Sequence, residues 1–360
     1  MSFPYFSELI LRAETKPFEQ RTPLTPIQAR ELIAAGVKVQ VESSSDRIYN
    51  NQDYQSVGCE IIASGSWKSA ESDVVILGLK ELEEESFPIK QNHIYFAHCY
   101  KGQSGSKNIL ERFRQGQGKL YDLEFLIDSN GRRVSAFGHW AGFVGAAIAV
   151  KQFYLSAHGK KLNKVFPWSN EQHLIDEITS LKSKNISAIV IGAKGRCGLG
   201  AIDALEKLGV QSISKWDLEE TIKGGPFMEI LDHDIFVNCV YLNRKIPPFI
   251  TEDMLEKKSK LKVISDVSCD PTSPNNPIPL YEHITTFDEP RIELNEDVDL
   301  LAIDMLPSLL PLESSDDFTS QLFPHLKRFL LEGPIEEVFS RSFKIFETAL
   351  NNTTHSGLTL

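Results

Sequence analysis

The 360-residue sequence predicts an α/β protein of two domains, each built on a parallel sheet. Three observations carry that expectation. Short β-branched runs alternate with amphipathic stretches along most of the chain, the pattern of strands joined by crossover helices. The length exceeds what one hydrophobic core fills efficiently, so a division in two is expected. Near the middle, over residues 188–201, an apolar run enters a glycine-rich turn and then a helix pattern.

Taken in order, residues 8–13 (ELILRA) read as a strand. Thr25 and Pro26 supply an N-cap and a first-turn proline for the helix IQARELIAA, which Gly36 closes. Residues 37–41, 74–78 and 94–97 are the next strands. A helix around 104–115 then leads to the strand-like KLYDLEFL. A long apolar helix is expected over 139–157, where Gly142, Gly145, Ala146, Ala147 and Ala149 permit close packing. The crossover into the second domain is placed at its start. Residues 158–169 are polar enough for a loop, and 170–184 pattern as a charged amphipathic helix. A second series follows: SAIVIG, a glycine turn, AIDALEKLG, SISKWD, DIFVNCV, KVISDVS and LLAIDML. Residues 314–350 are again amphipathic helix, expected to return to the first domain. The division expected is therefore 1–138 plus 310–360 for one domain and 139–309 for the other.

Composition excludes several function classes. With 38 Lys+Arg against 49 Asp+Glu the formal charge is −11, which leaves no broad cationic face for a nucleic-acid partner. The longest apolar run, 141–150, is about half of the roughly 20 residues a membrane span needs. The N-terminus has no basic segment followed by an apolar one, so no secretory signal is expected, and SGLTL at the C-terminus is not a peroxisomal address. Cys59, Cys99, Cys197, Cys239 and Cys269 are scattered, odd in number and without a C-x-x-C pair. They fit a reducing, cytoplasmic setting, and no cluster has metal-ligand spacing. There is no internal repeat.

The glycine turn reads Gly192-Ala-Lys-Gly195-Arg-Cys-Gly198-Leu-Gly200. Strand, turn and helix in that order are the setting a dinucleotide needs: backbone N–H groups and a helix N-terminus must approach the pyrophosphate with no Cβ in the way. The spacing is G-x-x-G-x-x-G rather than the commoner G-x-G-x-x-G, so a turn that merely packs strand on helix is the alternative. Asp217 ends the next strand candidate, 25 residues after Gly192. A carboxylate there would bond ribose hydroxyls and repel the extra phosphate of NADP, so NAD is the expected cofactor. Asp217 alone also reads as a solvated turn residue.

GAKGRCGLGAID, KWDLEET, GGPF, NCVYL, DVSCDPTSPNNPIP and AIDMLPSLLP, with LRAETKPFEQRTPLTP, GSWK, GLKE, FAHCYKGQ, LYDLEFL and GRRVSAFG before them, resemble the NAD-dependent, lysine-forming saccharopine dehydrogenases. The resemblance runs from about residue 8 to 340. It implies two Rossmann-like domains with parallel sheets and an active-site cleft between them, the first carrying substrate and catalytic groups and the second NAD. The wider superfamily includes alanine dehydrogenase and transhydrogenase. The implied reaction is saccharopine, NAD and water giving lysine, 2-oxoglutarate and NADH, by a monomer.

Such a reaction needs two acid–base groups, because the amine must lose a proton before hydride leaves and water must then add to the imine. Lys80 follows VVIL and His98 follows IYFA, where parallel strands present ligand groups. Without the resemblance each also reads as an ordinary surface lysine or a satisfied histidine. The resemblance makes Lys80 the base for the amine proton and His98 the acid–base group for the water and leaving steps, with Glu124 moderating the cationic crowding. Saccharopine carries three carboxylates, and Arg21, Lys101, Arg132 and Arg133 are the candidate cations; arginine fits a carboxylate bidentately. By resemblance Arg21, Lys80, Gln103, Arg133, Phe137, Ser268, Cys269 and Asp270 meet substrate. The cofactor residues implied are Arg132, Gly192, Gly195, Arg196, Gly198, Asp217, Thr221, Tyr241, Val267, Ile303, Asp304, Met305 and Leu306. Cys197 and Cys239 match positions where the family carries neighbouring cysteines, a possible redox pair expected as free thiols in the cytosol. Gly102 and the pair His139-Trp140 depart from the family pattern and leave open the preference for lysine over smaller amines, as in an alanine dehydrogenase-like enzyme.

Overall fold

The computed structural model describes residues 3–242 and 244–355. The backbone divides into two compact units: the chain up to Ala136 and again from Ser314, and Phe137–Glu313. In the first unit it runs β1 (Glu8–Leu11), α1 (Pro26–Ala34), β2 (Lys38–Glu42), α2 (Asn51–Ser56), β3 (Glu60–Ile62), β4 (Val75–Leu77), β5 (Asn92–Tyr95), α3 (Ser106–Gly116) and β6 (Lys119–Asp122). The second unit holds α4 (Gly138–Ala157), α5 (Glu171–Ser180), β7 (Ser187–Ile191), α6 (Arg196–Lys207), β8 (Ser212–Trp216), α7 (Leu218–Thr221), β9 (Ile235–Asn238), α8 (Glu252–Leu255), β10 (Val263–Asp266), β11 (Ile292–Glu293) and β12 (Asp299–Leu301). Then α9 (Pro311–Glu332) leads back and α10 (Glu337–His355) follows.

Each unit has a six-stranded sheet. The first has order β3-β2-β1-β4-β5-β6 and is parallel throughout. The strand order reverses between β1 and β4, and the crevice outside the carboxyl ends of such a pair is where open α/β sheets bind ligands. The second sheet has order β11-β12-β10-β9-β7-β8, with its reversal between β7 and β9. Its inner strands β7, β9, β10 and β12 are covered on both faces. Ala188 and Val190 of β7 enter one core while Ile189 and Ile191 enter another, which is why this strand is apolar at four successive positions.

Local chemistry explains the elements read correctly. Thr25 caps α1 in a reciprocal box with Gln28, with Pro26 in the first turn. Other elements differ from expectation. No element was expected over 51–62, yet Asn50 and Asp53 form a capping box that starts α2, and β3 pairs with β2 at the sheet edge. The helix expected over 170–184 stops at Ser180. The second sheet is not wholly parallel: β11 runs antiparallel to β12 across a tight return closed by Leu294 N–H to the Val298 carbonyl, 3.0 Å. The helix expected over 314–350 is two helices, broken at Gly333, whose φ of +84° suits glycine, before Pro334. Finally, α6 begins at Arg196, so Gly198 and Gly200 lie inside it.

Candidate active site

In the first unit the candidate groups gather at the carboxyl ends of β1, β4, β5 and β6. Lys80 lies three residues beyond β4. His98 lies three beyond β5, at φ +46°, with its ring stacked on Phe96 at 6.2 Å between centroids. Between them stands a residue that the sequence reading passed over. Glu81 Oε1 is 2.5 Å from His98 Nδ1, and Lys16 Nζ lies 3.9 Å from the other oxygen. Partial burial opposes ionisation of Glu81. The His98 hydrogen bond, a backbone hydrogen bond and the charges of Lys80 and His98 overcome it and hold the carboxyl at about 2. The same hydrogen bond raises His98 above the ordinary histidine range against the opposing effect of burial, helped by the charges of Glu81, Glu124 and Asp122.

A second carboxylate gathers the cations. Glu124 Oε1 lies 2.9 Å from Lys101 Nζ and 2.7 Å from Arg133 Nη2. Burial again opposes, but Lys101, Arg133 and His98 hold this carboxyl below its usual range. Asp122 N-caps the turn that carries Glu124, and burial pushes its carboxyl up to about 6 against a hydrogen bond from the Glu124 N–H. Gln103 Oε1 accepts from the Lys101 N–H at 2.8 Å. A cavity of about 600 Å³ beside His98 is lined by Lys16, Glu81, Tyr95, Gln103 and Arg112. Arg21 is buried, its Nε and Nη2 forked onto Glu19 at 2.8 and 2.6 Å. Arg132 is exposed on a turn whose N–H bonds Asp128. Thus Lys80, His98, Lys101, Gln103, Glu124 and Arg133 lie on consecutive strand-end loops.

In the second unit, β7 is followed by Gly192, whose φ is +92° and whose missing Cβ would stand 2.9 Å from Val240 Cγ2. Gly195 is the N-cap of α6 and no side chain caps that helix, whose N-terminal end is the kind of backbone site where anions bind. Arg196 is exposed at the first helical position. This cradle fits a dinucleotide pyrophosphate. Gly198 and Gly200 do different work: a Cβ on Gly198 would lie 2.0 Å from the Gly192 carbonyl, and on Gly200 1.8 Å from the His139 carbonyl of α4. They let α6 approach its own turn and the neighbouring helix. Asp217 caps α7, accepting from the N–H groups of Leu218 and Lys194 at 2.8 Å each, and buried Thr221 bonds the Asp217 carbonyl. Tyr241 is 71% exposed, beyond β9.

The loop after β10 is pinned by Asp266, which accepts from Asn238, Ser268 and Tyr281 at 2.6–2.9 Å. Val267 packs over Gly145, and Cys269, at φ +51°, points its thiol to the Ala302 carbonyl at 2.9 Å. Asp270 opens a turn closed by the Ser273 N–H. Ile303 and Leu306 are buried beyond β12, with Asp304 and Met305 between them. Phe137 precedes α4; His139 faces Asp203 of α6 at 3.6 Å, and Trp140 packs on Phe143. Cys197 and Cys239 are free thiols, both raised by burial, and the charge of Cys197 raises Cys239 further. Among the described residues no group of three or more His, Cys, Asp or Glu side chains is placed to hold a metal ion, and no helix is long and apolar enough to cross a membrane.

Comparison with known proteins gives the same picture at the level of the chain. Residues 10–144 match the family described as alanine dehydrogenase/PNT, N-terminal domain. The chain is 48% identical over 357 residues to the saccharopine dehydrogenase (NAD(+), L-lysine-forming) of Yarrowia lipolytica, covering 94% of this chain and 96% of that one. It is 48% identical over 346 residues to the Candida albicans protein of the same name, covering 88% and 91%. Among solved structures, an L-alanine dehydrogenase superposes with a TM-score of 0.67 at 14% identity, over 95% of this chain and 99% of that one, a likeness of fold.

Proposed function

The chain belongs to the NAD-dependent, L-lysine-forming saccharopine dehydrogenase family, and from that premise we propose that it oxidises saccharopine with NAD and water to lysine and 2-oxoglutarate. The observation that carries the mechanism is the Glu81–His98 hydrogen bond beside Lys80, at the strand ends where the first sheet reverses.

NAD, when bound, supplies the acceptor for the hydride leaving the carbon next to the amine nitrogen. Lys80 Nζ takes the amine proton, freeing the lone pair that drives that departure. Glu81 is ionised at neutral pH and accepts only. His98 Nδ1 therefore carries a hydrogen toward Glu81, and Nε2 is the nitrogen that exchanges protons with substrate. Water adds to the imine carbon while His98 Nε2 takes one of its protons. His98 Nε2 returns that proton to the carbinolamine nitrogen, and as the carbon–nitrogen bond breaks the carbinolamine hydroxyl gives its own proton to the now neutral Nε2, releasing lysine and the keto acid.

Arg133 and Lys101, shared by one carboxylate oxygen, and Arg21 are placed in this reading on the carboxylates of saccharopine, with Gln103, Phe137, Ser268, Cys269 and Asp270 lining the substrate. Gly192, Gly195 and Arg196 take the pyrophosphate, with Gly198 letting α6 start close against that turn, and Asp217 and Thr221 take the ribose. Arg132, Tyr241, Val267 and Ile303 to Leu306 complete the cofactor side. That several cations surround the acid–base pair favours a multiply charged substrate over alanine. The scattered cysteines support a cytoplasmic enzyme, the charge of −11 speaks against a nucleic-acid partner, and the family resemblance supports a monomer. Lys80→Met is expected to lower turnover by about 10²–10⁴-fold with NAD affinity unchanged. Undiminished turnover would remove Lys80 from the mechanism.

A further inference from the structure

We propose that Arg12 and Glu14 are positioning residues that hold the backbone of Lys80 from both sides and so aim its amine. The proposal rests on the reading of Lys80 as the proton acceptor.

Lys80 sits where the sheet stops providing partners. β4 ends at Leu77; beyond it Gly78 still bonds the Ile94 carbonyl at 2.9 Å, and the Leu79 carbonyl accepts from Phe96 at 3.0 Å. The next peptide groups are satisfied by side chains from the end of β1. Glu14 Oε1 accepts from the Leu79 N–H at 2.6 Å and Oε2 from the Lys80 N–H at 2.9 Å. Arg12 Nη2 donates to the Lys80 carbonyl at 2.5 Å, and the same nitrogen lies 3.1 Å from Glu14 Oε2. One ion pair thus fixes both the N–H and the C=O of Lys80, leaving only side-chain torsions to place Nζ.

The pair is deeply set, with side chains 5% and 7% exposed. A buried ion pair is rarely better for stability than packed apolar residues, so stability alone is a poor account of it. What apolar residues cannot do is grip one peptide unit from two directions. The surroundings match: a Cβ on Gly78 would stand 2.6 Å from Arg12 Nε and 2.7 Å from Nη2, so a larger residue there obliges the guanidinium to shift. Tyr95, two residues before Ala97 and three before His98, lies under the same guanidinium at 5.7 Å. The grip stands at the β1/β4 reversal, the ligand-binding end of this sheet.

The test is a double-mutant cycle in the full-length enzyme with NAD and saccharopine. Glu14→Gln keeps the length but turns an amide nitrogen toward a backbone N–H, so one of the two donors loses its partner. It is expected to lower kcat by about 10–100-fold, the scale of a misplacement near 1 Å, with the KM for NAD unchanged. In the Lys80→Met background it is expected to cost nothing more, because the residue it acts through is gone. Gly78→Ala, which pushes the guanidinium off the Lys80 carbonyl, is expected to reproduce the defect. Arg12→Lys, a single-point donor, serves as a further variant should Glu14→Gln not fold. Wild-type kcat in both Glu14→Gln and Gly78→Ala overturns the proposal. So does an equal loss from Glu14→Gln in the wild-type and Lys80→Met backgrounds, the result of a merely structural role. Wild-type turnover in Lys80→Met defeats the reading of Lys80 itself, and the proposal with it.

Discussion

Replacing Gly200 by alanine forces a collision that no rotamer relieves. The added methyl would lie 1.8 Å from the His139 carbonyl oxygen and 2.7 Å from its carbon, where ordinary contact begins at 3.4 Å. The backbones of α4 and α6 must therefore part by about 1.6 Å. Alanine gains about 1 kcal/mol over glycine in a helix interior. Overpacking costs about 1–3 kcal/mol where side chains yield, and here backbone meets backbone, so the clash outweighs the propensity. A net loss of about 2 kcal/mol lowers the melting temperature of a unit this size by roughly 4–8 °C. Moving α6 also moves the N-terminus that the reading places under the pyrophosphate, so NAD affinity is expected to fall by about tenfold, or 1.4 kcal/mol. Thermal unfolding and calorimetric NAD titration measure both. The control is Gly195→Ala, where the nearest atom is the Gly192 oxygen at 3.4 Å: its melting temperature is expected to stay near wild type while NAD binding weakens. Gly200→Ala with wild-type stability and wild-type NAD affinity would refute the reasoning.

Glu81→Gln removes the leading cause of the raised His98 titration, so the limb of the pH–rate profile that follows protonated His98 is expected to move to lower pH; an unmoved limb would separate Glu81 from the chemistry. The pair also links stability to pH. The His98 contribution is complete below its ordinary value of 6.5 and is lost as pH rises through the raised folded value. The Glu81 contribution is complete above 4.5 and is lost as pH falls through about 2. The stability difference between wild type and Glu81→Gln, measured by denaturant titration, is therefore expected to be largest between pH 4.5 and 6.5. Asp217→Ala strips the cap from α7 and the acceptor from the Lys194 N–H, costing about 1 kcal/mol. It is also expected to weaken NAD and narrow its margin over NADP, and an unchanged NAD/NADP ratio in binding assays would contradict the ribose role.

Local signals made much of this legible. The run from Ala188 to Ile191, the turn at Gly192 and the start of α6 sit within a few residues of one another, so their order alone identified the strand–turn–helix unit. Thr25, Pro26 and Gln28 likewise announce α1. What stayed hidden depends on partners far along the chain. Gly198 and Gly200 read as phosphate-loop glycines, but Gly200 exists for His139 of a helix that begins some sixty residues earlier. Glu81 was visible beside Lys80 in GLKE, yet its partner His98 is 17 residues on. Arg12 reads as part of a strand and Glu14 only as one position of LRAETKPFEQRTPLTP, and the β1/β4 pairing brings them to Lys80. For Arg12 the available hint was a charged residue directly after an apolar strand. The antiparallel β11 has two residues, too few to carry a period.

The most direct test is the reverse reaction of the full-length protein, followed as NADH oxidation with lysine plus 2-oxoglutarate, beside the same assay with pyruvate plus ammonium. Fast oxidation with the first pair and none above background with the second is the expected result. Faster turnover of pyruvate and ammonium would contradict the substrate assignment.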